Sequence, residues 1–157
     1  MRSIARRLAV VALVSLFFLT WRANTDQDVA RAQTRKAIMM TRLYTGPDGQ
    51  SHAEEIEMQL TGGASEMMKA TGVQFRRTPG GTFSDWHRGP RRQFVITLSG
   101  RGEIEVAGGK KISLEPGHIE LIEDLTGKGH TTKAVGPEDR VSIAIPLVDR
   151  TVGSAGR

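Results

Sequence analysis

From residue 39 onward, apolar residues alternate with polar ones or form short runs that end at glycine, proline or aspartate. This pattern is typical of β-strands. Turn signals at residues 79–81, 99–102, 107–109 and 116–117 separate the runs at spacings typical of a sandwich or barrel. Residues 64–70 are the one segment where a short helical turn could fit. The predicted strands are residues 41–44, 54–60, 73–78, 82–86, 93–98, 103–106, 111–115, 119–123, 130–135 and 141–147.

The predicted strand at residues 93–98 is apolar on both faces. Val95 points to one side, whereas Phe94, Ile96 and Leu98 point to the other. A strand of this kind must be covered on both sides. One face can close the interior of a barrel, and the other would meet the N-terminal strands or a second subunit. We therefore expect a homodimer.

The chain has 157 residues, 38% of them hydrophobic and 5% aromatic, which suits a single domain with an aliphatic core. Residues 1–38 hold seven basic and two acidic residues, which account for the whole net charge of +5. The remaining body is neutral and has no basic, aromatic stripe, so we expect no nucleic-acid partner. The absence of cysteine excludes disulfides and thiolate chemistry.

The N-terminus resembles an export signal. Arg2, Arg6 and Arg7 precede an apolar run at residues 8–19, and residues 30–32 offer a cleavage site before Gln33. An uncleaved anchor is a second interpretation, and it would give the only expected membrane association. In both interpretations, the cleaved signal and the uncleaved anchor, residues 1–38 form the signal or anchor with a linker. The protein is then exported, periplasmic or membrane-anchored. Translation from residue 39 or 40 would instead give a cytoplasmic protein consisting of the domain at residues 39–157.

Two spaced motifs carry the most specific signal. In the first, five residues separate Gly81 from His87, and Gly89, Gln93 and Gly100 follow after one, three and six residues. The second begins at Pro116-Gly117-His118 and ends at Gly129-His130. Together they resemble the two motifs of the cupin superfamily over residues 72–147, as in a small single-domain bacterial cupin. The resemblance implies an all-β, double-stranded β-helix or jelly-roll cupin barrel, often dimeric, with a divalent metal held by three histidines and a glutamate.

The metal-site positions diverge from that family pattern. Gly89 stands where the first motif has its second histidine, Gln93 replaces the glutamate, and His118 replaces the aspartate of the second motif. Carried over residue by residue, His87, Gln93 and His130 are the candidate ligands of a divalent metal (Fe, Mn, Zn or Ni). Asp85 and Asp124 are the nearest carboxylates that could complete such a site.

Other roles for the same residues stay open. In a metal-free pocket, His87 and His130 could bind a ligand or act as acid and base, and they could also be purely structural. Alternation along an unbroken strand would place Arg91 and Gln93 on the face of His87, with Gly89 leaving space beside them. Arg91 could then hold a carboxylate or phosphate, with Gln93 and Trp86 as further substrate-binding residues.

Two classes of function fit this sequence. In one, an interior small-molecule pocket binds an anionic organic ligand through His87 and His130, either as a binding module or with acid–base chemistry. The alternative is a divalent-metal-dependent enzyme of the oxygenase, isomerase or lyase class. The residues alone do not decide whether the chain is an enzyme.

Overall fold

The computed structural model of the protein describes residues 37–148. The predicted leader and residues 149–157 lie outside that range. All ten predicted strands are present within it, and no α-helix occurs among the described residues. The strands are β1 (Met39–Thr45), β2 (Ser51–Glu57), β3 (Gln74–Thr78), β4 (Phe83–His87), β5 (Gln93–Ser99), β6 (Arg101–Glu105), β7 (Lys111–Leu114), β8 (Ile119–Glu123), β9 (His130–Val135) and β10 (Arg140–Pro146).

Residues 64–70, the segment where a short helical turn could fit, contain no helix. The ends of this segment are held by isolated bridges, between Thr61 and Ala64 and between Ala70 and Leu147. The one helical turn among the described residues is instead a 3-10 turn at Ala107–Gly109, where the sequence predicts a turn.

The strands form two sheets with orders β2-β1-β8-β5-β10-β3 and β4-β9-β6-β7. Every pairing within residues 37–148 is antiparallel except that between β1 and β8. Strands β3 to β10 contribute four members to each sheet, in the interleaved order of a double-sheet jelly roll. The predicted all-β jelly roll is thereby confirmed, and the hairpin of β1 and β2 extends one of its sheets.

Alternation along β5 explains how the interior forms. Gln93, Val95 and Thr97 are buried, whereas the residues between them are half-buried on the outer face. The main core is aliphatic, as composition predicts, and consists of Leu43, Val95, Ile104, Val106, Ile112, Leu114, Ile122 and Ala144.

A second apolar cluster covers part of the outer face of β5. Phe94 packs there with Met40 of β1, and with Leu121 and Leu147. The N-terminal strands therefore supply one of the two covers that the pattern of residues 93–98 requires. The predicted homodimer stays a prediction. Within residues 37–148, no helix has the length and apolar character needed to span a bilayer.

Candidate functional site

A cavity of about 170 Å³ lies between the two sheets. The six-stranded sheet contributes the long polar side chains of Arg76, Gln93, Glu120 and Arg140, and the four-stranded sheet contributes His87 and His130. The remaining wall is made of smaller or apolar residues, namely Thr78, Thr82, Ser84, Gly89, Pro90, Val95, Ile104, Ile122, Thr132, Ala134 and Ser142.

The two histidines identified by the motifs lie side by side. His87 ends β4 and pairs with His130, the first residue of β9. Their ring centroids are 4.6 Å apart, and the ring planes are inclined by 55°. An irregularity in the pairing of β4 with β9 lies between Ser84 and His87.

Both imidazoles are anchored through Nδ1. Nδ1 of His87 lies 2.7 Å from the backbone carbonyl oxygen of Asp85. A carbonyl can only accept, so this nitrogen carries the proton. Nδ1 of His130 lies 2.6 Å from Oδ2 of Asp124, which also accepts a hydrogen bond of 2.8 Å from the Ser51 hydroxyl. With Asp124 ionised, His130 likewise donates from Nδ1, which leaves Nε2 of both rings as the free ring nitrogen.

Gly89 sits tightly beside this group. Its N–H donates to the backbone carbonyl of Asp124 at 3.1 Å. A Cβ at this position would overlap the Cγ2 methyl of Ile122. Gly89 does line the cavity, but the space that we expected it to leave beside the imidazoles is occupied by Ile122. No side chain can point from here towards His87 without displacing that methyl group.

The opposite wall carries two guanidinium groups in different electrostatic situations. Arg140 is buried, and its Nη2 lies 2.8 Å from Oε2 of Glu120 and 2.8 Å from the Thr97 hydroxyl. Arg76 has only amide partners, the side-chain oxygens of Gln93 at 3.3 Å and Gln74 at 3.0 Å. Among residues 37–148 it forms no salt bridge.

Burial and neighbouring charges shift the ionisation of these groups. Burial lowers the pKa of Arg76, and the nearby positive charges of Arg91 and Arg140 lower it further, whereas Glu120 opposes them. Burial raises the pKa of Glu120 above its usual value, against the opposing effect of Arg140. The interior of the barrel therefore holds an unpaired cation beside a buried ion pair.

These residues do not fit the metal site implied by the cupin resemblance. No three histidine or carboxylate side chains among residues 37–148 are grouped so as to hold a metal ion. The amide oxygen of Gln93 accepts from Arg76, and Glu120 is paired with Arg140. The Asp124 carboxylate is hydrogen-bonded to Nδ1 of His130. A metal would bind the other ring nitrogen, Nε2, so Asp124 lies on the wrong side of the ring to be a ligand of the same metal. Two guanidinium groups in the same cavity also disfavour a divalent cation.

Two predicted substrate-binding residues lie outside the cavity. Arg91 is exposed and absent from the lining, and Trp86 is half-buried with Nζ of Lys128 3.7 Å from the centre of its ring. The reason lies in the turn at residues 88–92, which separates β4 from β5 and breaks the alternation that would have linked Arg91 to His87. Of the predicted set, only His87, Gln93 and His130 share the cavity.

Three charged residues of the cavity, Arg76, Glu120 and Arg140, were not predicted from the sequence, and Asp124 was predicted only as a possible metal ligand. Alternation in the strand Gln74–Thr78 could have placed Arg76 on the face opposite Arg77. No pattern in the sequence marks Glu120 and Arg140, since their pairing joins strands that are distant along the chain.

Comparison of the chain with models of known protein families and with curated proteins finds no match. Solved structures similar to it include a cupin protein from Bacteroides fragilis, with 18% identity over 54% of this chain and 70% of that one, at a TM-score of 0.39. The cupin domain of Cnp3 from Schizosaccharomyces pombe has 11% identity over 75% of this chain and 88% of that one, at a TM-score of 0.40. An RmlC-like cupin protein from Desulfovibrio desulfuricans has 18% identity over 51% of this chain and 80% of that one, at a TM-score of 0.37. At these identities the likeness concerns the fold alone, and the order of its own strands makes this chain an all-β jelly roll, the fold of the cupins.

Proposed function

We propose that the chain binds a small anionic organic molecule in the cavity between its sheets, with the guanidinium group of Arg76 holding the anionic group. The observation that carries this proposal is the electrostatic situation of Arg76, which lines the cavity and has no carboxylate partner among the described residues. Arg76 is half-buried, and removing even part of the hydration of an unpaired charge has a cost. A bound carboxylate would offset that cost and would match the planar guanidinium with two parallel hydrogen bonds.

The charges of the other lining groups support the same ligand class. Two guanidinium groups and one carboxylate, Glu120, face the cavity, which gives a positive balance when both histidines are uncharged. Arg140 is already paired with Glu120 and hydrogen-bonded to Thr97, so it has less capacity for a ligand. Arg76 is therefore the better anchor.

The size of the cavity limits the ligand to a few heavy atoms. Its volume of about 170 Å³ is close to that of engineered protein cavities that bind benzene. Sites for drug-sized molecules usually have volumes of about 300–1,000 Å³. Nucleotides and sugars linked to nucleotides are too large for this cavity, whereas short organic acids are of suitable size.

A catalytic form of this proposal is supported by the pair of His130 and Asp124. An imidazole whose orientation is fixed by a buried carboxylate is the arrangement expected of a general base. Nε2 of His130 would then take a proton from the bound molecule, and His87 is close enough to assist. The metal-dependent alternative has no comparable support in the donor set. It would be restored by a stoichiometric divalent metal in the purified protein that is lost on His130→Ala substitution.

The experiment is isothermal titration of the full chain with propionate, butyrate and inorganic phosphate. We expect the parent protein to bind a carboxylate and Arg76→Gln to bind it about 10- to 100-fold more weakly, as the loss of a charge-assisted hydrogen bond predicts. Arg77→Gln is the matched control, because Arg77 is the next residue on the same strand but is exposed and paired with Asp139. Arg91→Gln should lose much less affinity than Arg76→Gln, because Arg91 does not line the cavity and acts on Arg76 only through its charge. Equal losses in Arg76→Gln and Arg91→Gln, or no binding of any probe by the parent, would refute the proposal.

A further inference from the structure

We infer that the ligand is a short hydroxy acid, whose carboxylate binds Arg76 and whose hydroxyl group donates its one proton to the free ring nitrogen of His87 or of His130. This inference rests on the proposed function, because it assumes that an anion occupies the cavity. It adds the identity of the second functional group and the wall of the cavity that recognises it.

The first step concerns the hydrogen-bonding capacity of the two imidazoles. Their Nδ1 protons are committed to the Asp85 carbonyl and the Asp124 carboxylate. In the uncharged rings, each Nε2 then carries a lone pair and no proton. Neither Nε2 is hydrogen-bonded to another group of residues 37–148. Both histidines line the cavity, so this wall can accept a hydrogen bond from the ligand.

The second step concerns the arrangement of the two walls. Arg76 comes from β3 in the six-stranded sheet, whereas His87 and His130 come from β4 and β9 in the four-stranded sheet. One wall therefore offers guanidinium donors and the facing wall offers imidazole acceptors. A ligand that satisfies both walls must carry an anionic acceptor at one end and a donor at the other.

The third step selects the chemical nature of that donor. An ammonium group would bring a further positive charge into a cavity that already holds Arg76 and Arg140. A keto oxygen can only accept, so it would leave the Nε2 lone pairs unpaired. A hydroxyl group donates without adding charge. With the small volume of the cavity, this points to a hydroxy acid of about three or four carbons.

The test compares acids that differ only in the second functional group. Isothermal titration of the full chain would use lactate against propionate and 3-hydroxybutyrate against butyrate, with pyruvate and alanine as the oxo and ammonium analogues. In at least one matched pair we expect the hydroxy acid to bind 10-fold or more tightly than its deoxy analogue. Sites that are built to hydrogen-bond a hydroxyl group reject analogues that lack it.

Variants of the histidines separate recognition of the hydroxyl group from binding of the anion. The double substitution His87→Asn and His130→Asn keeps a donor near each Nδ1 position but removes both Nε2 atoms. It should abolish the preference for the hydroxy acid while keeping the weaker binding of propionate. His52→Asn is the matched control, because His52 lies outside the cavity and contacts Asp48. The ratio of the affinities of the parent protein for a hydroxy acid and for its deoxy analogue is measured without any variant. It therefore decides the question even if the histidine variants fail to fold.

Equal affinity for hydroxy and deoxy acids, with binding that depends on Arg76, would overturn this inference and leave the proposed function intact. Tightest binding of pyruvate or alanine would overturn it in the same way. Failure of the parent to bind any of these acids would remove both proposals.

Discussion

Gly89 shows how a single neighbour decides the chemistry of a residue position. The cupin resemblance implies a metal-binding histidine here, but in this chain the volume next to the Gly89 Cα is filled by Ile122 of β8. A side chain at this position would overlap the isoleucine methyl group, so the packing of Ile122 requires glycine here. The result is a cavity with two imidazoles rather than three.

Replacement of Gly89 by alanine tests this packing. The added Cβ overlaps Ile122, so we expect the free energy of unfolding to fall by about 1–3 kcal/mol, as for other overpacked cores. Urea denaturation measures the change. Gly72→Ala is the control, because a Cβ there meets no atom within 4 Å. Addition of Ile122→Leu, which removes the β-branch methyl, should recover part of the loss. Equal stability of Gly89→Ala and the parent would contradict this account.

The candidate site could be predicted from the sequence only where motif spacing fixes it. The spacing of the two cupin-like motifs identified His87 and His130, and the structure pairs these two residues and places both in the lining of the cavity. Arg91 was misplaced because alternation was extended across a turn that breaks it. Arg76 was missed because an arginine in solvent and an arginine that lines a cavity look alike in a sequence, and only the facing sheet distinguishes them.

Among the elements, the segment after β8 joins three strands through one side chain. Asp124 is fully buried and accepts hydrogen bonds from Ser51, which begins β2, and from His130, which begins β9. β2 and β9 belong to different sheets. The carboxylate therefore links the N-terminal hairpin to the wall that carries the two imidazoles.

Asp124→Asn should weaken that link. The amide oxygen can take the place of Oδ2, but it accepts the two hydrogen bonds without the negative charge, and the NH₂ group then stands at Oδ1, which is buried and has no hydrogen-bond partner among the described residues. We expect a loss of about 1–3 kcal/mol in the free energy of unfolding, measured by urea denaturation. Asp85→Asn is the control, because the side chain of Asp85 is exposed and bonds only to the next N–H, while its backbone carbonyl still holds His87. A loss in the control as large as in Asp124→Asn would show that the buried linkage is not the cause.

Most of the elements could be predicted because each strand is short, alternates and ends at a turn residue. The errors arose where hydrogen bonds distant in sequence decide the structure. Pairing with β1 begins β2 at Ser51, earlier than the apolar pattern indicates. Residues 64–70 resemble a helical segment by composition. Backbone hydrogen bonds from Thr71 to Pro146 and from Val148 to Lys69 instead hold the end of this segment against the last residue of β10 and the chain just after it.

In the whole molecule, the N-terminal hairpin is attached to the jelly roll by pairing and by charge. β1 pairs with β8 in parallel, and Glu123 at the end of β8 accepts hydrogen bonds from Arg42 of β1 and from Arg92, each at 2.6 Å. Glu123 is largely shielded from solvent. Arg42 also pairs with Glu54 at 2.7 Å, so two guanidinium groups and two carboxylates form one network where the hairpin meets the barrel.

This arrangement makes the stability of the molecule depend on pH. Burial alone would raise the pKa of Glu123, but the hydrogen bonds from Arg92 and Arg42 outweigh burial and hold the pKa below its ordinary value of 4.5. A carboxyl group whose pKa is lower in the folded state stabilises the protein above the unfolded-state pKa. That contribution is lost as pH falls through the folded-state value.

Glu123→Gln should therefore be less stable than the parent at about pH 6, and the difference should close as the pH approaches about 3. Urea denaturation midpoints measured across that range for both proteins give the comparison, because other carboxyl groups affect the two proteins alike. Glu57→Gln is the control, since Glu57 is exposed and forms no salt bridge among the described residues. A difference between Glu123→Gln and the parent that stays constant with pH would mean that Glu123 acts through packing. In that case the charge of the carboxylate would not hold the N-terminal hairpin to the barrel.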